Sequence, residues 1–218
     1  QFLFFLILIG LLSTFILSPI LQVLYVAFTQ DGSITLFHFL SFFQRALFRE
    51  AFLNSLFAGV MVVIFSSLIA LPLVFFSVRY DFKGKVMIQT LGILPLVMPP
   101  FVGAIAMQLI LGRNGVVNLL FRRWFDFTIP FMDGLIGVII VQTLHYFPFI
   151  LLNASASLAN IDLSLEEAGQ SLGTHGFRLL QKITLPLMMP GYVAGALLVF
   201  IKSIDDLGTP LLLNYTNM

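Results

Sequence analysis

The chain has 218 residues, 59% of them hydrophobic and only 10% charged, with a formal net charge of +1. A water-exposed domain carries about a quarter charged residues, so the composition excludes an ordinary soluble globule. With a mean hydropathy of +1.04 and 25 Phe to face lipid, it predicts an all-α membrane protein. The near-neutral balance points to no nucleic acid, and the absence of Cys excludes disulfides, cysteine-ligated metal and a thiol nucleophile.

Apolar runs of about 20 residues, enough to cross a bilayer, recur along the chain. The first, 2–28, is uncharged, contains Pro19 and is too long for a signal-peptide core. With Gln1 and not Met in first place, the chain is expected to begin inside a longer sequence. The second run, 52–78, contains Pro72. The third, 86–112, contains Pro95, Pro99 and Pro100. The fourth, 135–158, contains His145 and Pro148, and the fifth, 187–207, carries Lys202, Asp205 and Asp206. These runs predict a polytopic transmembrane helix bundle with five visible crossings. Interior prolines are tolerated where neighbouring helices satisfy the freed carbonyls. They read either as bends around a cavity or as simple kinks.

The connections alternate sides: 29–51 and 113–134 on one, 79–85 and 159–186 on the other. Arg79, Lys83, Lys85, Arg178 and Lys182 on one side are matched by Arg45, Arg49, Arg113, Arg122 and Arg123 on the other. The positive-inside rule therefore does not orient the chain, although the density of Lys and Arg in 79–85 leans towards that side being cytoplasmic. In 113–134, Arg122, Arg123, Trp124 and Phe125 fit an interfacial anchor or a contact for an outside partner.

The segment 160–186 is the least apolar long stretch between crossings and reads as two short helices. Ser164, with Glu167 three residues later, fits a capping box. The first helix then runs to about Leu172, and Gly173 suits the left-handed residue that ends it. Thr174 can cap a second helix through Lys182, and Pro186 opens the fifth crossing. Leu165, Ala168 and Leu172 share one face at three-and-four spacing. That face fits a docking knob for a partner or an interfacial helix lying on lipid.

Three sets of intramembrane residues stand out. Lys202 and Asp206 are four apart and can pair on one helix face, or Asp205 and Asp206 can line a path or gate, since charged residues within a span face a cavity or a partner. The two Asp are adjacent and point about 100° apart, so they make no catalytic dyad. Gly191 and Gly195 fit a close-packing Gly-x-x-x-Gly face. His145 is lone and reads as a buried hydrogen-bonding residue. No catalytic constellation, cofactor motif or metal-ligand spacing is present.

Glu167-Ala168-Gly169, then Gly173, then nine residues, then Ile183-Thr184-Leu185-Pro186, resembles the EAA loop of binding-protein-dependent ABC importer permeases. That pattern is Glu-Ala-Ala, three residues, Gly, nine residues, Ile-x-Leu-Pro. The one departure is Gly169 where Ala is usual. Asn54-Ser55-Leu56, the stretch 94–100 followed by Gly112-Arg113-Asn114-Gly115, and the stretch 205–213 are similar to the ferric-iron branch. Polyamine, phosphonate, sulfate and thiamine permeases share parts of these motifs.

The resemblance implies a type I importer permease core of six helices or more, here with five visible, in the bacterial inner membrane. It further implies that 1–218 is one permease domain in part, with 159–186 as its cytoplasmic coupling loop. The implied partners are ATP-hydrolysing subunits, a periplasmic or lipid-anchored substrate-binding protein, membrane lipid, and a second permease unit. That second unit could be identical, paralogous or fused in the same chain. Leu165, Glu167, Ala168, Gly169, Leu172 and Gly173 are implied at the ATPase contact. On their own chemistry, as charged groups inside a span, Lys202, Asp205 and Asp206 are the candidates for the translocation path. No chemistry and no cofactor is implied. Ferric iron is the expected substrate, with a polyamine, phosphonate or other small solute as alternatives, and an ion-coupled secondary carrier as the rival class.

Overall fold

The computed structural model describes residues 2–30 and 32–215, apart from the side chains at 2, 3, 6 and 7. Among these residues every regular element is helical except one short β-ribbon. Five helical stretches are long and apolar enough to cross a membrane: Leu8–Phe28, Ala46–Arg79, Pro100–Phe125, Gly134–Ala159 and Phe177–Asp205.

The chain divides into two compact units, Gln1–Phe52 and Leu53–Met218. In the first, α1 (Phe2–Leu12) passes through a π-turn, Ser13–Leu17, into α2 (Ser18–Phe28). Pro19 lacks an amide donor and its ring crowds the carbonyl four residues back. A wider turn just ahead of it absorbs that crowding without breaking the helix. The ribbon pairs β1 (Thr29–Gln30) with β2 (Ser33–Ile34), and α3 (Phe37–Gln44) follows. Phe42 stacks on Phe48 at 5.3 Å and meets Phe52 edge-on at 6.3 Å.

The second unit continues α4 (Ala46–Arg79), whose buried stripe is Ala58, Val62, Ser66, Ala70, Val74 and Ser77. The stripe repeats every three to four residues and is small enough for close approach. Its polar members find partners: Ser66 Oγ donates to the Thr143 carbonyl at 3.4 Å and Ser77 Oγ to the Val74 carbonyl at 3.3 Å, while next to the stripe Ser67 shares a 3.1 Å hydrogen bond with the Tyr192 hydroxyl.

The expected third crossing, 86–112, is not one helix. It is α5 (Lys85–Val97), an extended step at Met98 and Pro99, and α6 (Pro100–Leu111). A residue before proline is disfavoured in helical geometry; single prolines at 19 and 186 leave Ser18 and Leu185 helical, but at Pro99-Pro100 the bias falls on two residues in a row. Both Met98 (ψ 139°) and Pro99 (ψ 141°) precede one. The expected loop 113–134 likewise contains a helix, α7 (Val116–Phe125).

The most buried helix is α8 (Gly134–Ala159). Ile150, Ala154 and Leu158 on it are fully covered, joining Val62, Val74 and Val199 in one core. Against it lies α11 (Leu185–Asp205). The Gly191 and Gly195 spacing explains how close the two helices come. A Cβ on Gly195 would stand 2.8 Å from Ile150 Cα, and one on Gly191 2.5 Å from the Asn153 carbonyl.

The helix carrying α11 begins earlier than Pro186. It starts with α10 (Phe177–Leu179) and runs through a second π-turn, Leu180–Thr184, placed ahead of Pro186 just as the first is ahead of Pro19. The remaining elements are α9 (Leu163–Ser171) and α12 (Gly208–Leu212).

Candidate functional site

In loop 159–186 the helix starts before the expected cap. Asp162, not Ser164, caps α9: its Oδ1 accepts the Ser164 backbone N–H at 2.9 Å. An ionised carboxylate at a helix N-terminus gains from both the hydrogen bond and the dipole, and Asp162 takes the role that the hydroxyl was expected to fill. The Ser164 backbone hydrogen bond holds the Asp162 carboxyl below its ordinary range. Glu167 closes no capping box; it is exposed.

The C-terminus forms as expected. Gly173 is left-handed (φ +84°). Thr174 N–H donates to the Gly169 carbonyl at 3.0 Å and Gly173 N–H to the Gln170 carbonyl at 2.9 Å, which together make a Schellman turn. Thr174 caps no second helix. That helix starts at Phe177, after Gly176 at φ +57° and ψ −128°.

These caps leave α9 with two distinct faces. Outward, Leu165 and Leu172 are 48% and 87% exposed, with Glu167 and Ala168 exposed beside them. Inward lie Glu166 and Gly169. Gly169 is buried, and a Cβ there would overlap Ile183 Cδ1, at 2.2 Å. It belongs to the packing face and not to the exposed surface where the motif had placed it with Glu167 and Ala168. Glu166 forms an ion pair with Arg79 at the end of α4, and its Oε1 also accepts the Thr184 hydroxyl at 2.8 Å. Sequence reasoning missed Glu166 and Arg79. No sequence signal marks them, because the pair joins residues 87 positions apart.

A second feature lies where two helix interruptions meet. The α5–α6 step (Met98, Pro100) and the α11–α12 step (Asp205, Asp206) line one cavity of about 500 Å³ with His145 and Tyr146 of α8. Lys202 borders it too. Its ion-pair partner is Asp205, at 3.9 Å, and not Asp206 as expected. Asp206 is the residue that ends α11 (ψ 96°) and has left the helix face. Its carboxylate accepts Thr209 N–H at 3.1 Å, Thr209 Oγ at 2.6 Å and Gln142 Nε2 at 3.2 Å. Lys202, Asp205 and Asp206 thus share the cavity wall, but Asp206 also holds the turn into α12. His145 is buried against Tyr146, ring edge to face at 5.0 Å. Among the described residues no group of three His, Asp or Glu could hold a metal ion.

Near the 113–134 connection, Arg113 Nε donates to Asp133 Oδ2 at 3.1 Å. Buried Asn118 binds the Gly112 and Ile129 carbonyls, each at 2.9 Å. Helix α7 presents Trp124 and Phe125 exposed, with Arg122 and Arg123 in its last turn, the composition of a helix at a membrane–water boundary.

Comparison with known proteins places this architecture. Residues 63–215 match the family described as binding-protein-dependent transport system inner membrane component. The chain is 36% identical over 151 residues to the molybdenum transport system permease protein ModB of Haemophilus influenzae, covering 67% of this chain and 65% of that protein. It is 31% identical over 174 residues to the putative ferric transport system permease protein FbpB 1 of the same organism, covering 79% and 27% respectively. The chain therefore spans less than two thirds of the length of these relatives. Among solved structures it is similar to a chain of a bacterial ABC transporter involved in the import of the acidic polysaccharide alginate. That match has a TM-score of 0.76 and 22% identity, and covers 99% of this chain and 77% of that one.

Proposed function

Because this chain belongs to the family of binding-protein-dependent transport system inner membrane components, we propose that it forms the membrane path of an ATP-driven importer. Loop 159–186 is its cytoplasmic coupling element. The observation that carries this reading is the two-faced helix α9. It is capped at both ends and fixed inward by Glu166 and Gly169. Outward, Leu165, Glu167, Ala168 and Leu172 remain for an ATP-hydrolysing subunit. Leu165 and Leu172 supply apolar anchors, and Glu167 supplies a charge-assisted contact to a basic group. Gly173 supports the docking face through the turn that ends it. The chain itself does no chemistry. A substrate-binding protein delivers solute from outside, and a second permease unit completes the path.

The path in this reading runs along the cavity between the α5–α6 and α11–α12 interruptions, past Lys202, Asp205 and Asp206. Helix breaks at membrane depth are tolerated where they line a cavity. Two carboxylates against one ammonium favour a cationic solute by charge, in keeping with ferric iron. The 36% identity to a molybdenum permease favours a second reading, an oxyanion.

Co-purification tests the first level. The intact chain should retain its ATPase subunit in mild detergent, and Glu167→Lys should release it. If the intact chain retains none, an ion-coupled carrier replaces the importer. The substrate is then decided by reconstituting the complex with binding proteins loaded with ferric iron or with molybdate. The cognate one stimulates ATP hydrolysis and uptake; stimulation by molybdate alone removes iron.

A further inference from the structure

We propose that the ion pair between Arg79 and Glu166 is the strut through which movement of α9 reaches the membrane helices. Arg79 and Glu166 are then positioning residues of the transport cycle. This rests on the coupling reading above and adds to it the connection by which the docking helix pulls on the bundle.

The geometry joins three elements at one carboxylate. Arg79 is the last residue of α4, a helix of 34 residues. Glu166 sits in the first turn of α9. Thr184, 3% exposed, closes the π-turn that leads into α11. Oε1 of Glu166 accepts from both the Arg79 guanidinium and the Thr184 hydroxyl, so a displacement of α9 loads α4 and α11 together. The side chains of the pair are only 16% and 13% exposed. An exposed pair would be screened by salt and worth little; this one is largely removed from solvent. One turn further along the same face, Gly169 lies under Ile183 and Leu179, a close apolar contact beside the polar one.

The strut is separable from the docking surface. Asp162 caps α9 at one end and the Schellman turn closes it at the other, and neither uses Arg79 or Glu166. Leu165, Glu167, Ala168 and Leu172 are exposed and take no part in the Arg79–Glu166 pair. Breaking the pair therefore leaves a folded surface that still binds its partner but no longer drives the helices.

The test uses the complete importer complex in liposomes, carrying Arg79→Gln, Glu166→Gln, or the double reversal Arg79→Glu with Glu166→Arg. Three quantities are read: ATPase subunit retained, ATP hydrolysed, and solute moved per ATP. Each single variant should keep the ATPase subunit at the intact level. Solute per ATP should fall at least about fivefold, the lower end of ordinary coupling between sites, and recover in the double reversal. Unchanged solute per ATP in either single variant overturns the proposal, as does release of the ATPase subunit, which would make the pair a fold support for the docking face. Thr184→Val, which keeps both charges, covers the case where charge loss unfolds the loop; it should lower solute per ATP, and no change there also overturns the strut. If the unsubstituted chain retains no ATPase subunit at all, the importer reading fails instead, and the two failures are told apart by that control.

Discussion

Gln142 and Ser203 exchange hydrogen bonds across α8 and α11: Ser203 Oγ donates to Gln142 Oε1 at 2.6 Å, and Gln142 Nε2 donates to the Ser203 carbonyl at 3.2 Å. Both side chains are buried, and Gln142 also reaches Asp206. The network fixes where α11 ends and α12 begins. Gln142→Leu keeps the volume and removes these bonds. It should lower stability by roughly 0.6 to 2 kcal/mol, the scale of side-chain bonds between membrane helices. Thermal unfolding in detergent reads this directly. An unchanged midpoint would show that the bonds form without net gain.

The contact of Gly195 with Ile150 makes a sharper prediction. A Cβ at 195 would meet backbone atoms of α8, the Phe149 carbonyl and Ile150 Cα, both at 2.8 Å. Backbone cannot rotate away as a side-chain tip can. Gly195→Val should therefore separate the helices and cost about 1 to 3 kcal/mol, the range for overpacking. Gly10→Val, where nothing lies near the new Cβ, is the matched control and should leave the unfolding midpoint in place.

At the coupling loop the prediction concerns pH. The Asp162 carboxyl is held below its ordinary range by the Ser164 backbone N–H. A lowered folded-state pKa means that the cap stabilises α9 above the ordinary carboxylate value of about 3.9, and that this contribution is lost as pH falls through the folded value. Asp162→Asn keeps an acceptor and loses the titration; Asp162→Ala loses both. Hydrogen exchange at the amides of 163–171 should quicken in the Ala variant at neutral pH and stay near normal in the Asn variant. Equal protection in all three chains would mean that the cap contributes nothing.

Much of this architecture is legible in the sequence, and the misses share causes. The apolar runs, the Gly191 and Gly195 face, and the Gly173 turn each follow from a local rule: hydrophobic length, a missing Cβ, a positive φ. The third crossing differs from its apolar run because hydropathy counts Met98 and Pro99 as apolar and does not register that each precedes a proline. The capping box puts the cap at Ser164, but Asp162, two residues earlier, takes it in the structure. The pairing of Lys202 with Asp206 assumed that the helix continues, and Asp206 is where it stops. Glu166 with Arg79, and Gln142 with Ser203, join residues 87 and 61 positions apart. No periodicity reports such pairs. The trace they leave is a polar group in an apolar stretch.

That placement of the helix end separates the two carboxylates of the cavity. Asp205 is exposed and its partner, Lys202, is 3.9 Å away. Asp206 is engaged by Thr209 and Gln142. Asp205→Asn should leave the unfolding midpoint unchanged, because a weak exposed pair adds little stability, and should alter uptake if the solute passes this wall. Asp206→Ala should instead lower the midpoint, by about 1 to 3 kcal/mol for donors left unpaired, and reduce uptake as a consequence of the displaced α12. Midpoint and uptake measured together on both variants separate a group that meets solute from one that holds the turn. If Asp205→Asn transports at the intact rate with the intact preference for solute, the carboxylate at 205 is not on the path and the charge argument for a cationic solute falls with it.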